Sequence, residues 1–315
     1  MSDALLSVVV LSWNTRLILR ACLEALQRDT PCLAREVIVV DNGSADGSAE
    51  MVAEHFPGVR LIRNAENRLY AEANNQGARA ARGRYLCLLN SDTEVRPGAL
   101  DRMLAFLQGH PEHAAVAPRL VNPDGTLQRA CRRLPTLLDP LIDSTSLGRF
   151  PPGTWLTWWT RMGDFDHLHS RDVPQPPGAC FLMRTAEYLA MGGLEPRLSL
   201  FFNDVHLCRS LSRKGRRIRY LAEAEVMHHQ GSSTRAQAAH QRNLLWFRNR
   251  ATYYRTNYGR WSERWLNAIL GLWALECTLR IRCGSREPGE KRKALADLRA
   301  FLRECATPAS PRAIT

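Results

Sequence analysis

The sequence predicts an α/β fold: a mostly parallel sheet flanked by helices, followed by a helical carboxy-terminal extension. Three observations predict it. Between Ser7 and Pro118, short β-branched runs alternate with longer stretches of helical period, the pattern of repeated βα units. The runs VIVV (37–40) and YLCLL (85–89) are almost continuously apolar, as strands buried on both faces are. After Ser233 the chain becomes helical in period, aromatic and basic.

The elements follow in order. Strands are expected over Ser7–Leu11, Glu36–Asp41, Val59–Asn64, Tyr85–Asn90 and Ala114–Pro118. Helices are expected between them over Thr15–Arg28, Asp46–Phe56, Tyr70–Arg82 and Pro97–Gly109, the last with proline at a tolerated first position. From Leu134 to Pro177 the period is lost in a Pro, Gly and Trp-rich stretch, expected to be a functional loop or poorly ordered insert. Its Asp164, Asp166, His167, His169 and Asp172 read as a solvated loop and not as a metal cluster. Order returns at Gly178–Arg184, then in a helix from Asp204 to Lys214 closed by Gly215, then in a strand over Arg216–His229. The expected division is a first domain of residues 1–235 and an extension of residues 236–315.

Length and composition bound the class. The 315 residues, 45% hydrophobic and 23% charged, suffice for a full core and one appendage. Met1–Leu6 leads straight into the first apolar strand without the pattern of a cleaved leader, so a cytoplasmic location is expected. Nine cysteines without a CxxC pair, several in apolar runs, are expected to be free thiols. The net charge of +12 is concentrated: Gly231–Thr315 holds sixteen Arg or Lys against six Asp or Glu. A polyanionic partner is implied, nucleic acid or an anionic membrane surface.

In open parallel sheets ligands sit beyond the carboxyl ends of the strands. The candidate residues there are Ser12-Trp13-Asn14, Asp41-Asn42-Gly43-Ser44 with Asp46-Gly47-Ser48, and Asn90-Ser91-Asp92. The blander readings are that Asp41–Ser48 is only a turn and helix cap and Asp92 a loop acid before a helix, but all of them sit at the strand-end crevice and Asp92 directly follows an apolar strand. A divalent cation on a diphosphate needs one or two carboxylates plus the ligand's own oxygens. Asp92 is the candidate metal ligand, with His228 or His229 as a second, because adjacent residues on a strand point to opposite faces.

The segments VVVLSWN (8–14), VVDNGSADGS (39–48), ANNQGARAARG (73–83), LLNSDTEVRPGAL (88–100), PGACFLMR (177–184), FFNDVHLCRSLSRKG (201–215) and HHQGSS (228–233) occur in order over residues 5–235. Together they resemble family 2 glycosyltransferases of the GT-A fold, a Rossmann-like α/β architecture, and within them bacterial rhamnosyltransferase-like members. The resemblance implies donor-binding positions at Ser12, Asn14, Asp41, Asn42, Gly43, Asn75, Asn90, Ser91, Asp92, Gly178 and Ala179. It implies a metal, Mg2+ or Mn2+, on Asp92 and on His228, whose spacing to Gly231 and Ser233 fits HxxGxS, and a general base at Asp204. Two positions depart from the fullest pattern: Asn90 stands for the first Asp of the DxD-type segment, and Asn203 for the first acid of the usual Glu-Asp pair. Asp204 could instead be only a helix cap.

The implied activity is inverting transfer of a sugar, L-rhamnose from dTDP-rhamnose by resemblance (a UDP-linked donor remaining open), to a glycan or polyprenyl-linked acceptor in cell-surface polysaccharide synthesis. Trp246, Phe247, Tyr253, Tyr254, Tyr258, Trp261, Trp265 and Trp273, interleaved with arginines, read as an interfacial segment on the inner face of the cytoplasmic membrane, or as an ordinary helical cap. Leu266–Ile281 is too short and charged to be expected to span a bilayer. The rivals are a nucleotidyltransferase, although SWNTRLILR lacks the glycines such an enzyme places after strand one, a nucleic-acid-binding module, and a catalytically silent relative. No nucleic-acid partner is expected, because no binding motif accompanies the tail.

Overall fold

The computed structural model describes residues 5–29, 34–229, 239–285 and 287–306. Cys32, Gly231 and Ser233 lie outside them. The chain divides into two compact units, residues 1–134 with 165–236, and residues 135–164 with 237–315.

The first unit is built on a nine-stranded sheet in the order β3-β2-β1-β4-β8-β6-β9-β5, with β7 beside β9. Its amino-terminal half consists of β1 (Leu6–Ser12), α1 (Arg16–Arg28), β2 (Arg35–Asp41), α2 (Ser48–His55), β3 (Arg60–Arg63), α3 (Leu69–Ala80) and β4 (Tyr85–Asn90). The strands pair in parallel here, as the alternating pattern predicts. Helix α1 buries Leu19, Cys22, Leu23 and Leu26, a stripe at helical spacing. Val8, Val10 and Val39 join that core on one face of the sheet, while Val9, Ile38 and Val40 pack on the other. Register then positions the site: Ser12 lies opposite Asp41 and Leu11 opposite Asn90, so three strands end at one level.

The carboxy-terminal half departs from a simple parallel sheet. It comprises β5 (Thr93–Val95), α4 (Ala99–Gly109), β6 (His113–Val121), β7 (Arg171–Asp172), β8 (Cys180–Arg184), α7 (Thr185–Ala190), α8 (Asn203–Arg213) and β9 (Arg217–His228). Strand β8 runs antiparallel between β4 and β6. Strand β9 lies parallel to β6 and antiparallel to β5, which sets Thr93 opposite His228. The eight cysteines among the described residues are free thiols.

The expected solvated loop of acids and histidines is corrected at two positions. His167 is fully buried, its Nε2 accepting from the Cys131 amide, and Asp172 binds His113 Nε2 at 2.9 Å. Asp166 and His169 form an exposed pair.

In the second unit, α5 (Asp139–Ser144), a 3-10 turn (Ser146–Arg149) and α6 (Gly153–Thr160) belong with α9 (Ala239–Tyr258), α10 (Trp261–Cys283) and α11 (Pro288–Ala306). Stretch 135–164 is therefore helical and joined to the late helices. Tyr254, Tyr258 and Trp265 donate to the carbonyls of Thr136, Pro135 and Leu137, and Glu276 accepts from the Ser146 amide and hydroxyl. Tyr253 and Tyr254 are fully buried, and the Arg250 guanidinium lies over Trp246 and Phe247. Of the eight aromatics singled out in the sequence, Tyr253 and Tyr254 are interior packing, five are half-buried and Trp261 is exposed. Exposed apolar side chains of the unit include Trp261, Leu272, Leu275 and Leu279 on α10, Leu138 and Leu147, and Phe150, Trp155, Trp158 and Trp159 around α6. Among the described residues no helix is long and apolar enough to cross a membrane.

Candidate active site

At the strand ends, local hydrogen bonding decides which side chains are available to a ligand. Asp41 is 3% exposed; Oδ2 accepts from the Ser44 amide, while Oδ1 is buried with no hydrogen-bond partner among the described residues. A buried acceptor left unsatisfied costs about 1–3 kcal/mol, so this oxygen fits an N–H or O–H donor brought by a ligand. Gly43 turns the chain there with φ +78°, and a Cβ would meet the Glu66 backbone at 3.0 Å. Asn14 is exposed and stitches the first loop to the second: its Oδ1 accepts from Ala45 and its amide donates to Ser44 Oγ.

Four of the implied donor positions are placed differently. Ser12 is fully buried, its hydroxyl 3.0 Å from that of Thr15, which in turn donates to Ser91 Oγ. Asn42 uses its amide to hold Asn64, Asn67 and the Arg68 backbone. Asn75 bonds the Leu194 backbone through both ends of its amide and accepts from Tyr188. Their polar atoms are taken up within the protein, so Ser12, Ser91 and Asn42 shape the crevice from behind, and Asn75 fastens α3 to the segment after α7.

Asp92 is 1% exposed, and Oδ1 lies 3.5 Å from His228 Nε2. The β5–β9 register brings the two together, and it sends His229 the other way, to Glu94 Oε1 at 2.8 Å. His228 Nδ1 is 3.1 Å from Gln128 Oε1, whose carboxamide also donates to the His228 carbonyl. The Gln128 carbonyl oxygen engages Nδ1, which leaves Nε2 as the ring nitrogen that faces the Asp92 carboxylate. An imidazole nitrogen and a carboxylate this close suit a divalent cation completed by phosphate oxygens. Among the described residues no three His, Cys, Asp or Glu cluster as a metal cage, so such an ion would depend on its substrate.

Asp204 is the second residue of α8, two positions after Phe202, which is held at φ +67°. Its Oδ2 accepts from Gln175 Nε2 at 3.2 Å and its Oδ1 from the Val205 amide at 2.9 Å. Burial raises its pKa above the ordinary carboxylate value, against the opposing pull of those bonds and of the Gly178 backbone. A proton acceptor poised higher than a free aspartate is suited to base chemistry. Gly178 packs closely on the acid: a Cβ there would sit 3.0 Å from Asp204 Cβ and press on it. Ala179 is buried and its carbonyl accepts from the Asn90 amide. Asn203 is 2% exposed and donates through Nδ2 to the Leu198 carbonyl at 2.6 Å, a bond that a carboxylate in its place could not make.

Three residues join the site without having been singled out in the sequence: Gln128, Gln175 and Tyr70. Tyr70 donates to Asn90 Oδ1 at 3.1 Å, and its amide donates to the Ser199 carbonyl. Burial and the carboxylates of Asp204 and Asp92 push its pKa up, so its hydroxyl keeps its proton. None of the three carries a motif signal; each gains its meaning from a partner distant in sequence.

The class these features define is borne out by comparison. The family described as Glycosyl transferase family 2 matches residues 7–176, and the chain belongs to that family. It is a glycosyltransferase. The chain is 28% identical over 281 residues, 83% of this chain and 88% of the relative, to N-acetylglucosaminyl-diphospho-decaprenol L-rhamnosyltransferase of Mycobacterium tuberculosis. It is also 28% identical over 272 residues to the O-antigen biosynthesis protein RfbC of Myxococcus xanthus, covering 84% of this chain and 20% of that protein. Among solved structures, a Pyrobaculum calidifontis mannosyltransferase with GDP-Man and Mn2+ superposes with TM-score 0.56 at 16% identity, covering 96% of this chain and 86% of that one. The fold is thus that of the GT-A glycosyltransferases, as the resemblance implied.

Proposed function

We propose that this chain is an inverting glycosyltransferase that moves L-rhamnose from dTDP-rhamnose to a lipid-linked glycan acceptor in cell-surface polysaccharide synthesis. The observation that carries the reading is the pair of carboxylates with different surroundings: Asp92 beside the Nε2 of His228, and Asp204 held above its ordinary pKa by burial. The sugar and acceptor class follow the name of the M. tuberculosis relative, which matches nearly its whole length.

Asp92 and His228 would hold a Mg2+ or Mn2+ ion together with the donor's diphosphate, and the bound ion supplies positive charge to the departing nucleoside diphosphate. Asp41 Oδ1 accepts a base or ribose hydrogen. Asp204 takes the proton of the acceptor hydroxyl as its oxygen bonds the anomeric carbon and the bond to the diphosphate breaks on the opposite face. Gln175, Val205 and Gly178 keep the carboxylate aimed while burial keeps it basic. The exposed tryptophans and leucines of α6 and α10, with the basic late helices, suit a peripheral position on the anionic inner face of the cytoplasmic membrane, where a polyprenyl-linked acceptor is presented.

The test is release of nucleoside diphosphate from a panel of sugar nucleotides with Mg2+ or Mn2+ and a polyprenyl-diphosphate glycan. Turnover selective for dTDP-rhamnose is expected. Turnover of another donor would replace the sugar assignment, and binding of no donor at all would overturn the reading.

A further inference from the structure

The position that departs from the DxD-type pattern is the one to which Tyr70 is bonded. Asn90 ends β4 beside the crevice, with its backbone fixed from three directions. Its amide donates to Ala179, and its carbonyl accepts from Thr93 Oγ1 at 2.7 Å and from Cys22 Sγ. Only its side chain remains to be oriented, and an asparagine amide can turn over to present either end. In the observed arrangement Tyr70 occupies Oδ1, which leaves Nδ2 as the end open to a ligand. The hydroxyl is anchored because α3 starts there: Asn67 Oδ1 accepts from the Leu69 amide and from Asn42 Nδ2, and Tyr70's own amide is held by Ser199. Leu69 adopts φ +67°, a conformation costly for a side-chain-bearing residue, so the turn that delivers Tyr70 is held by its surroundings.

We propose that Tyr70 is a positioning residue of the transfer site: its hydroxyl engages Asn90 Oδ1 and so presents Asn90 Nδ2 as a hydrogen-bond donor to the bound nucleotide sugar. A carboxylate at position 90 would offer acceptors only. Here the same position offers an N–H to the oxygens of ribose or diphosphate, and the lower negative charge is met by a directed donor. The inference rests on the reading of the strand-end crevice as the donor site. It adds that the donor half is tied through Tyr70 to Ser199, on the segment that leads into Asn203 and Asp204.

The test is a double-mutant cycle of Tyr70→Phe and Asn90→Ala on the full chain. Calorimetry measures dTDP affinity with Mn2+, and kcat and KM are measured for the donor once turnover is found. Tyr70→Phe alone is expected to weaken dTDP and raise donor KM about three- to tenfold, with a smaller change in kcat, as loss of one neutral hydrogen bond does. In the Asn90→Ala background the same substitution is expected to have no effect, and both variants are expected to melt with the wild type. Equal effects of Tyr70→Phe in both backgrounds, or an unchanged affinity, would overturn the proposal. So would an affinity loss accompanied by a lowered melting temperature in both backgrounds, which marks a purely structural hydroxyl. Failure of the wild type to bind any nucleoside diphosphate would instead remove the donor-site reading on which the proposal stands, and the proposal with it.

Discussion

Two short segments of the molecule begin with asparagine and end with aspartate, and they use them in opposite ways. At the end of β4, Asn90 has Tyr70 on its side-chain oxygen, and Asp92, two residues on, lies against His228. At the start of α8, Asn203 faces inward and holds the Leu198 carbonyl, while Asp204 is fixed by Gln175 and the backbone. The same departure from an acidic pattern therefore has two meanings. At position 90 the side chain is bonded by Tyr70 at the end of a strand; at position 203 it holds the backbone of the preceding loop. The two acids differ as well, and in the proposed reading one serves a cation and the other a proton.

The sharpest way to break this contrast is to neutralise each acid. Asp92→Asn is expected to lower kcat/KM by about a thousandfold or more, since several kcal/mol of charge stabilisation depend on the ion it holds. Nucleoside diphosphate release measures it. Asp204→Asn is expected to cost about 10²–10⁴-fold in kcat with donor affinity retained. Because burial raises the Asp204 pKa, wild-type kcat is expected to fall on acidification at a higher pH than an ordinary aspartate would give. The sign for stability is the reverse of a salt-bridged acid. A raised folded-state pKa favours the native state below the unfolded pKa, and that advantage is lost as pH rises through the folded pKa. Asp204→Asn should therefore melt no lower than wild type at neutral pH, and higher if the penalty is appreciable; a marked drop in melting temperature would make Asp204 a structural cap.

Gln128→Leu probes the Asp92 turn from behind. With no oxygen on Nδ1 the His228 tautomer is no longer set, and Mn2+-supported dTDP affinity is expected to fall about 10–100-fold in a calorimetric titration. The smallest effect on chemistry is expected at Asn203→Asp. Restoring the acid breaks the bond to Leu198 and places a carboxylate against a carbonyl, so about 1–3 kcal/mol of stability is lost in thermal or denaturant melts. A gain of activity without loss of stability would show that position 203 faces the acceptor after all.

The βα half was legible because its signals are local. Strand β4 begins and ends at the predicted residues, and α1 differs by one. The strand-end acids were legible for the same reason: an apolar run stops and a carboxylate follows. What was not legible depends on distance in sequence. Gln128 meets His228 across 100 residues, and β5 is three residues long, recognisable only by its pairing with β9. Residues 135–164 lost their period to prolines and glycines, yet their carbonyls are bonded by Tyr254, Tyr258 and Trp265 more than a hundred positions later. The sequence left the aromatics of the late helices open between an interfacial segment and a helical cap, because partners such as those of Tyr254 lie outside any local window. Ser12, Asn42 and Asn75 illustrate the converse: residue types suited to ligands, whose hydrogen bonds were already committed within the protein.

The most direct test is the affinity of the protein for dTDP with and without Mn2+, measured for wild type and for Asp92→Asn. The account predicts that Mn2+ tightens dTDP binding to the wild type and that this gain disappears in the variant, with metal-free binding little changed. Equal Mn2+-dependent tightening in both proteins would contradict it.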